Sequence, residues 1–382
     1  MGQGRFARIL DRSTRFSGKR TSRYNSWRGR KYSESERWFP ICKVLFSNGQ
    51  DSCDVIRLGN CFCVACVSIR ESDVSMKEPI AYLKGEFVPA SECVLPIYDL
   101  GIVLGAAVTD FLRTFNQKPF RMEEHLTRFY RSCRYARIQP PVDFQQSVAI
   151  SEKLLAENSA IASGEELGLV YYMTAGENLV YAGAAGVSEE RTPSYIQHTF
   201  PMRFHLWRDQ FLQGVHCATP APRHWPPQCL SSKIKNRNRL HMWIGEQELH
   251  ELDPDVVALY LDIDGNITET GGSNFVIYRD GKVISPRKRN ILWGVSLTVL
   301  EEILLEMGVP FVEEDIQTYD VVNAEEAWMP STPYCLSPVV RINGVPIGEG
   351  KPGPMWRKVL QCWSERVDKD IYQEMVGAAQ EV

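Results

Sequence analysis

Two short stretches of this 382-residue chain hold side chains that chemistry could use. Ser232-Lys233-Ile234-Lys235-Asn236-Arg237-Asn238-Arg239-Leu240 offers two amines two residues apart, near a passage from strand to helix. An amine held out of water is a nucleophile and a proton carrier, whereas on a surface it is only a solvated charge. Further along, Glu269 stands in Ile267-Thr268-Glu269-Thr270-Gly271-Gly272-Ser273-Asn274-Phe275. A carboxylate in a small-residue turn between strands, closely followed by Asn, is unusual as a purely structural feature.

Other chemistries lack their residues. There is no H-E-x-x-H, no Walker loop and no G-x-S-x-G. Gly348-Glu349-Gly350-Lys351-Pro352-Gly353 matches the dinucleotide pattern, but Pro352 and Pro354 crowd the expected helix start, and no acidic ribose partner follows. Cys61, Cys63 and Cys66 lack the second ligand pair of a zinc site, so no metal is expected.

The elements that must position these residues are an α plus β mixture. Residues 81–89 read as a hairpin turning at Lys84-Gly85. Leu126, Phe129, Tyr130 and Cys133 share one face of a helix over 121–135, and another helix follows near 144–156. Strands are expected at 169–174, 256–262, 267–269 and 275–278, and helices near 239–251 and 296–307. Residues 188–230 are rich in Pro, Arg, His and Trp without a clear period. The stretch 188–202 reads as a crossing between a lobe at 76–187 and a lobe at 203–382.

Composition narrows the class. The chain is 44% apolar and 24% charged, and its 16 Phe, 15 Tyr and 9 Trp exclude disorder as the main state. No apolar run reaches the ~18 residues a spanning helix needs. The net charge of −4 hides an asymmetry: residues 1–40 carry +8, and the rest −12. The Arg- and Ser-rich head belongs to an extension, 1–75, that is expected to be poorly ordered. It reads as a targeting segment, a basic arm, or a stretch ahead of a true start at Met76, the reading we favour. Five of eleven cysteines fall in that extension, and the others are scattered singly, most among apolar neighbours, as buried free thiols would be.

In order along the chain, several landmarks resemble the class IV aminotransferases, the fold-type-IV pyridoxal-phosphate family. They are Tyr98-Asp99-Leu100-Gly101 with Gly105, Glu124-His125-Leu126-Thr127-Arg128, Lys235 with Asn238, and Thr268-Glu269 with Asn274. Ile291-Leu292-Trp293-Gly294-Val295-Ser296, Ser331-Thr332-Pro333, Pro338-Val339 and Gly348 to Gly353 complete the set. The resemblance runs from about Ala81 to Trp363. It implies a two-domain α+β fold, with a small α/β lobe, a larger β-barrel-like lobe with helices, and pyridoxal phosphate at their junction. Lys235 would form the Schiff base, preferred over Lys233 for its spacing to Asn238. Its freed amine would move the substrate proton. Glu269 would face the pyridine nitrogen. Arg128, Val295, Ser296, Ser331 and Thr332 would hold the phosphate.

The same resemblance bears on substrate. D-amino acid members carry an Arg where Ala175 stands, and branched-chain members carry one nearer Tyr172. An aromatic residue usual near Ile102 is absent. Asp110 stands where branched-chain members have Glu and lyases have Thr. Ile102, Asp110, Tyr172 and Ala175 are therefore the candidate substrate positions, and the carboxylate-binding group is unassigned. The expected activity moves an amino group between an amino acid and a 2-oxo acid, and is branched-chain-like. Alternatives are a D-amino acid aminotransferase, an aminodeoxychorismate lyase, favoured by Lys235-x-x-Asn238-Arg239-Leu240, or a non-catalytic binding protein on this scaffold. The resemblance further implies a homodimer; the scattered free thiols suggest a reducing, cytoplasmic compartment, the acidic body offers no stripe to extend the basic head toward nucleic acid, and no membrane partner is expected.

Overall fold

The computed structural model describes residues 78–178 and 192–377. The basic head, the run Cys61–Cys66 and Met76 lie outside the described residues. So do 179–191 and the last five residues.

The first sheet is antiparallel throughout. Its strands are β1 (Ile80–Leu83), β2 (Glu86–Pro89), β3 (Ala107–Phe115), β4 (Lys118–Pro119), β5 (Leu167–Thr174) and β6 (Tyr195–Pro201), in the order β2-β1-β6-β5-β3-β4. The expected hairpin joins β1 to β2, with Lys84 and Gly85 both at positive φ. Residues 188–202, expected as a crossing between lobes, instead contain β6 in their described part. Tyr195-Ile196-Gln197 is fully paired between β1 and β5 and buried. The aromatic and β-branched residues of 195–200 favour a strand. The Pro- and Arg-rich flanks masked that signal.

Three helices accompany this sheet: α1 (Leu100–Val103), α2 (Met122–Ala136) and α3 (Phe144–Ile161). Asp99 caps α1 by accepting from Gly101 N–H at 2.7 Å. Its other oxygen accepts from the hydroxyls of Thr174 and Ser194, each at 2.9 Å, which ties the turn to the sheet. In α2 the stripe Leu126, Phe129, Cys133 is fully buried, as its period predicts. A reciprocal Asp143–Gln146 capping box starts α3, which runs one turn beyond the expected end.

The second sheet has nine strands: β7 (Val215–Ala218), β8 (Val257–Leu261), β9 (Ile267–Thr270), β10 (Val276–Arg279), β11 (Lys282–Ser285), β12 (Phe311–Glu313), β13 (Glu326–Ser331), β14 (Cys335–Ile342) and β15 (Val345–Pro346). Its order is β12-β11-β10-β13-β14-β7-β8-β9, with β15 on β14. The two ends of the order approach each other: Ile267 N–H, on β9, donates to the Ile316 carbonyl just beyond β12. The sheet thus curls into a half-barrel, as expected for the larger lobe. Helices α4 (Arg208–Gln213), α5 (Leu240–His250), α6 (Val295–Glu306), α7 (Thr318–Val322), α8 (Pro354–Val367) and α9 (Ile371–Val376) belong to this half. The apolar face of α8 brings Trp356 and Trp363 into a core with Trp328 and the α6 stripe.

The dinucleotide-like stretch ends differently from expectation. Helix α8 does start there, because Pro at the first helical position fits its fixed φ. Its N-terminus is filled internally. Glu326 accepts from Met355 N–H and Trp356 N–H, each at 2.8 Å, and from Trp328 Nε1 at 3.0 Å. A carboxylate already neutralises the helix dipole where a phosphate would have to sit. The six described cysteines are free, with Cys133, Cys217 and Cys335 buried and Cys229 exposed.

Candidate active site

Lys235 is pinned to the edge of β3. The short strand β4 covers only Thr114 and Phe115, which leaves the start of β3 open on that side. The lysine segment fills it. Thr109 N–H donates to the Lys235 carbonyl at 2.9 Å, Arg237 N–H donates to the Ala107 carbonyl at 3.1 Å, and Val108 bridges Asn236. The Lys235 N–H also donates to Ser132 Oγ of α2 at 3.2 Å. Backbone pairing therefore fixes where the side chain starts. Lys235 is half-buried and lines a cavity of about 220 Å³ between the two sheets' loops. Burial lowers its pKa, the Arg128 and Arg239 charges lower it further, and Asp110 and Glu269 offset only part, leaving it at about 7. Lys233 is exposed and does not line this cavity.

Glu269 enters the same cavity from β9, buried and held on several sides. Its two oxygens each accept from Leu292 N–H at 3.1 Å, and Oε2 also accepts from Asn274 Nδ2 at 3.0 Å. His224 Nε2 stands 3.4 Å from Oε1. Asn274 is fixed in turn, donating to the Leu292 carbonyl at 2.6 Å. The small residues at 271–273 let this turn fold tightly, with the Thr270 hydroxyl receiving the N–H of Ser273 at 2.9 Å. A buried carboxylate so oriented can face a cationic ring nitrogen.

A third side of the cavity suits an anion. Gly294 precedes α6, no side chain caps the helix, and its first hydrogen bond runs from Thr298 N–H to the Gly294 carbonyl. The N–H groups of Val295, Ser296 and Leu297 have no partner within the helix. A Cβ on Gly294 would overlap Asn274 Oδ1. Ser331 and Thr332, at the turn from β13 to β14, line the same wall. Arg128 reaches it from α2, with its fork closed on Asp110: Nε to Oδ2 and Nη2 to Oδ1, both at 2.8 Å. His125, one helical turn earlier, meets Asp110 Oδ1 at 2.7 Å. Burial would raise the Asp110 pKa, but the Arg128 charge and the hydrogen bonds from His125 and Arg128 hold it well below the usual carboxylate range. Burial lowers the His125 pKa despite Asp110.

Lys235, Arg128, Glu269, Val295, Ser296, Ser331 and Thr332 are thus brought to one cavity. The four candidate substrate positions are not. Asp110 is fully buried and closed on Arg128 and His125, so it orients the arginine. Ile102 lies exposed on α1. Tyr172 faces Arg237, whose guanidinium carbon is 5.9 Å from the ring. Ala175 packs against the first sheet's core. None of the four lines the cavity within this chain. Sequence reasoning missed His224, Trp225, Ser232, Arg239 and His241, which do line it. Ser232 Oγ and both ring nitrogens of His241 are buried without a hydrogen-bond partner. Arg239, four residues after the candidate lysine, carried a signal; His224 lies in an aperiodic Pro-rich stretch and carried none.

The match to the amino-transferase class IV family model spans residues 107–342, which holds every one of these cavity groups. The chain belongs to the class IV aminotransferases. It is 26% identical over 288 residues to the D-alanine aminotransferase of Staphylococcus aureus (strain N315), covering 75% of this chain and 97% of that one. It is 26% identical over 294 residues to branched-chain-amino-acid aminotransferase-like protein 2 of Arabidopsis thaliana, covering 76% of this chain and 50% of that protein. In fold it is similar to the branched-chain amino acid aminotransferase from Thermobaculum terrenum in its PLP-bound holo-form. The TM-score is 0.66 and the identity 18%, over 79% of this chain and 97% of that one.

Class IV aminotransferases use pyridoxal phosphate, and the donor set of this class IV cavity fits that group. A lysine with a pKa near neutrality matches an aldehyde, a buried carboxylate matches a ring nitrogen, and an uncapped helix N-terminus matches a phosphate. Among the described residues no helix is long and apolar enough to cross a membrane.

Proposed function

We propose that this aminotransferase holds pyridoxal phosphate on Lys235 and moves an amino group between an amino acid with an apolar side chain and a 2-oxo acid. The observation that supports it most is the convergence of Lys235, Glu269 and the α6 N-terminus on one cavity. Bound there, the cofactor would supply an electron sink for the substrate's Cα. Glu269, fixed by Leu292 N–H and Asn274, would keep a proton on the ring nitrogen. Val295, Ser296, Ser331 and Thr332 would hold the phosphate, and Arg128 would add charge from a position set by Asp110. Lys235 Nζ, poised near neutral pH, takes the Cα proton and returns it.

Phe111, Leu230, Ile234 and Met242 give the cavity apolar walls, which supports the branched-chain-like reading. The D-alanine aminotransferases among the relatives support a second reading. Exposed Ile102, Leu104, Trp243 and Ile244 favour a homodimer, in which a partner copy would bring groups from the first sheet to the cavity. A cytoplasmic location is part of the same proposal.

The purified protein should show the visible band of lysine-bound cofactor, and Lys235→Ala should lose it. A colourless wild type that takes up no pyridoxal phosphate would sink the cofactor roles. A panel of L- and D-amino acids with 2-oxo acid acceptors decides the substrate. Pyruvate release from aminodeoxychorismate without an acceptor would favour the lyase.

A further inference from the structure

Once the phosphate, the ring nitrogen and the lysine have their partners, one charge in the cavity is left over. Three cations line it: Arg128, Lys235 and Arg239. Arg128 is closed on Asp110. Arg239 has only neutral partners in the structure: Nη1 donates to the Gly271 carbonyl at 2.6 Å and Nε to the Asn236 carbonyl at 3.2 Å. Among the described residues no carboxylate forms an ion pair with it. It is half-buried; burial and then the Arg237 charge lower its pKa, and the Glu269 and Glu246 charges, neither of which forms an ion pair with it, offset only part. A guanidinium partly removed from water with no carboxylate in direct contact is costly, and that cost falls when an anion enters.

We propose that Arg239 binds the substrate's carboxylate. This inference rests on the reading of Lys235 as the cofactor lysine. The substrate's amino group must replace the Lys235 amine, and its carboxylate sits on the adjoining carbon. The anion therefore needs a cation close to Lys235, and Arg239 is near enough for its charge to lower the lysine's pKa. The two carbonyls occupy Nε and Nη1, which fixes the plane of the guanidinium and leaves Nη2 for a carboxylate oxygen. Arg237 is the other candidate and fails on position. It is exposed, donates to Thr109 Oγ1 at 3.3 Å and does not line the cavity. The arginine that D-amino acid members carry at the position of Ala175 is thus replaced here by one on the lysine's own segment.

The test compares 4-methylpentanoate with 4-methylpentanamide, which share a shape and differ in charge. Each is titrated into the holoprotein, reading the visible band and tryptophan fluorescence, since Trp225 lines the cavity. Wild type should prefer the acid. In Arg239→Gln the acid should weaken by roughly 100-fold while the amide changes little, and Arg239→Lys should restore part of the preference. An equal loss for both ligands, an intact preference in Arg239→Gln, or a wild type without preference overturns the proposal. So does an intact preference with a shifted pH midpoint of the visible band, which would place Arg239 on the cofactor's 3-oxygen. A wild type that takes up no cofactor refutes the function above, whereas a holoprotein without charge preference refutes only this inference.

Discussion

Replacing Lys235 by Met should stabilise the cofactor-free protein, and by an amount that depends on pH. The folded state holds the amine at about 7, against 10.5 for an ordinary lysine. The unfolded chain therefore binds more protons between those values, and stability rises with pH across that window. At ~1.36 kcal/mol per decade, the wild type carries a cost of about 4 kcal/mol at pH 7 and about 1 kcal/mol at pH 10. Met fills a similar volume and cannot ionise, so its gain from packing is the same at both pH values. Urea unfolding of both proteins at pH 7, 8, 9 and 10 reads the difference directly. The advantage of Lys235→Met should shrink by about 3 kcal/mol from pH 7 to pH 10. An advantage that stays constant within about 1 kcal/mol would mean that the lysine titrates as an ordinary surface amine. The arrangement of Lys235 with Arg128 and Arg239 would then not poise it.

Asp110→Ala leaves the Arg128 guanidinium unpaired, and should cost about 3–5 kcal/mol in urea unfolding while weakening cofactor retention in dialysis. Gly294→Ala drives a methyl into Asn274 Oδ1, so Glu269 should lose its orientation, and equilibrium dialysis should show pyridoxal phosphate binding at least ~10-fold weaker. His241 is held to about 4 by burial, the His224 charge and Arg239, and burial also lowers His125. The unfolded chain takes up those protons first, so stability should fall as pH drops from about 6.5 toward about 4, and a flat Tm over that range would refute this. A chain beginning at Met76 should be soluble, yellow and active. Failure of that chain alone would favour a functional role for the basic head.

Much of the scaffold was legible because its period is local. The stripe Leu126, Phe129, Cys133 repeats at helical spacing and is buried, and Lys84-Gly85 has the conformational freedom a tight hairpin requires. β6 was not legible. Its partners β1 and β5 lie far away in the sequence, and the Pro and Arg around it speak for a loop. At 348–354 the sequence suggested that prolines prevent a helix. Helix α8 forms there, and the argument against a nucleotide comes instead from Glu326, which fills its N-terminus from another strand.

The inventory was readable along the chain: one lysine spaced from Asn238, one carboxylate in a turn of small residues, and one glycine ahead of an apolar helix. Residue type and local spacing are sufficient for that, because they act through a few neighbouring backbone bonds. Tertiary structure decided what each group does next to the others. Asp110, singled out in the sequence as a candidate substrate position, is the anchor of Arg128 in the fold. His224 lines the cavity, yet no local pattern marks it, and the spacing of Arg239 from Lys235 did not say that it would enter the cavity. Charge and burial at a site are sums over neighbours brought together by folding, and a linear spacing does not encode that sum.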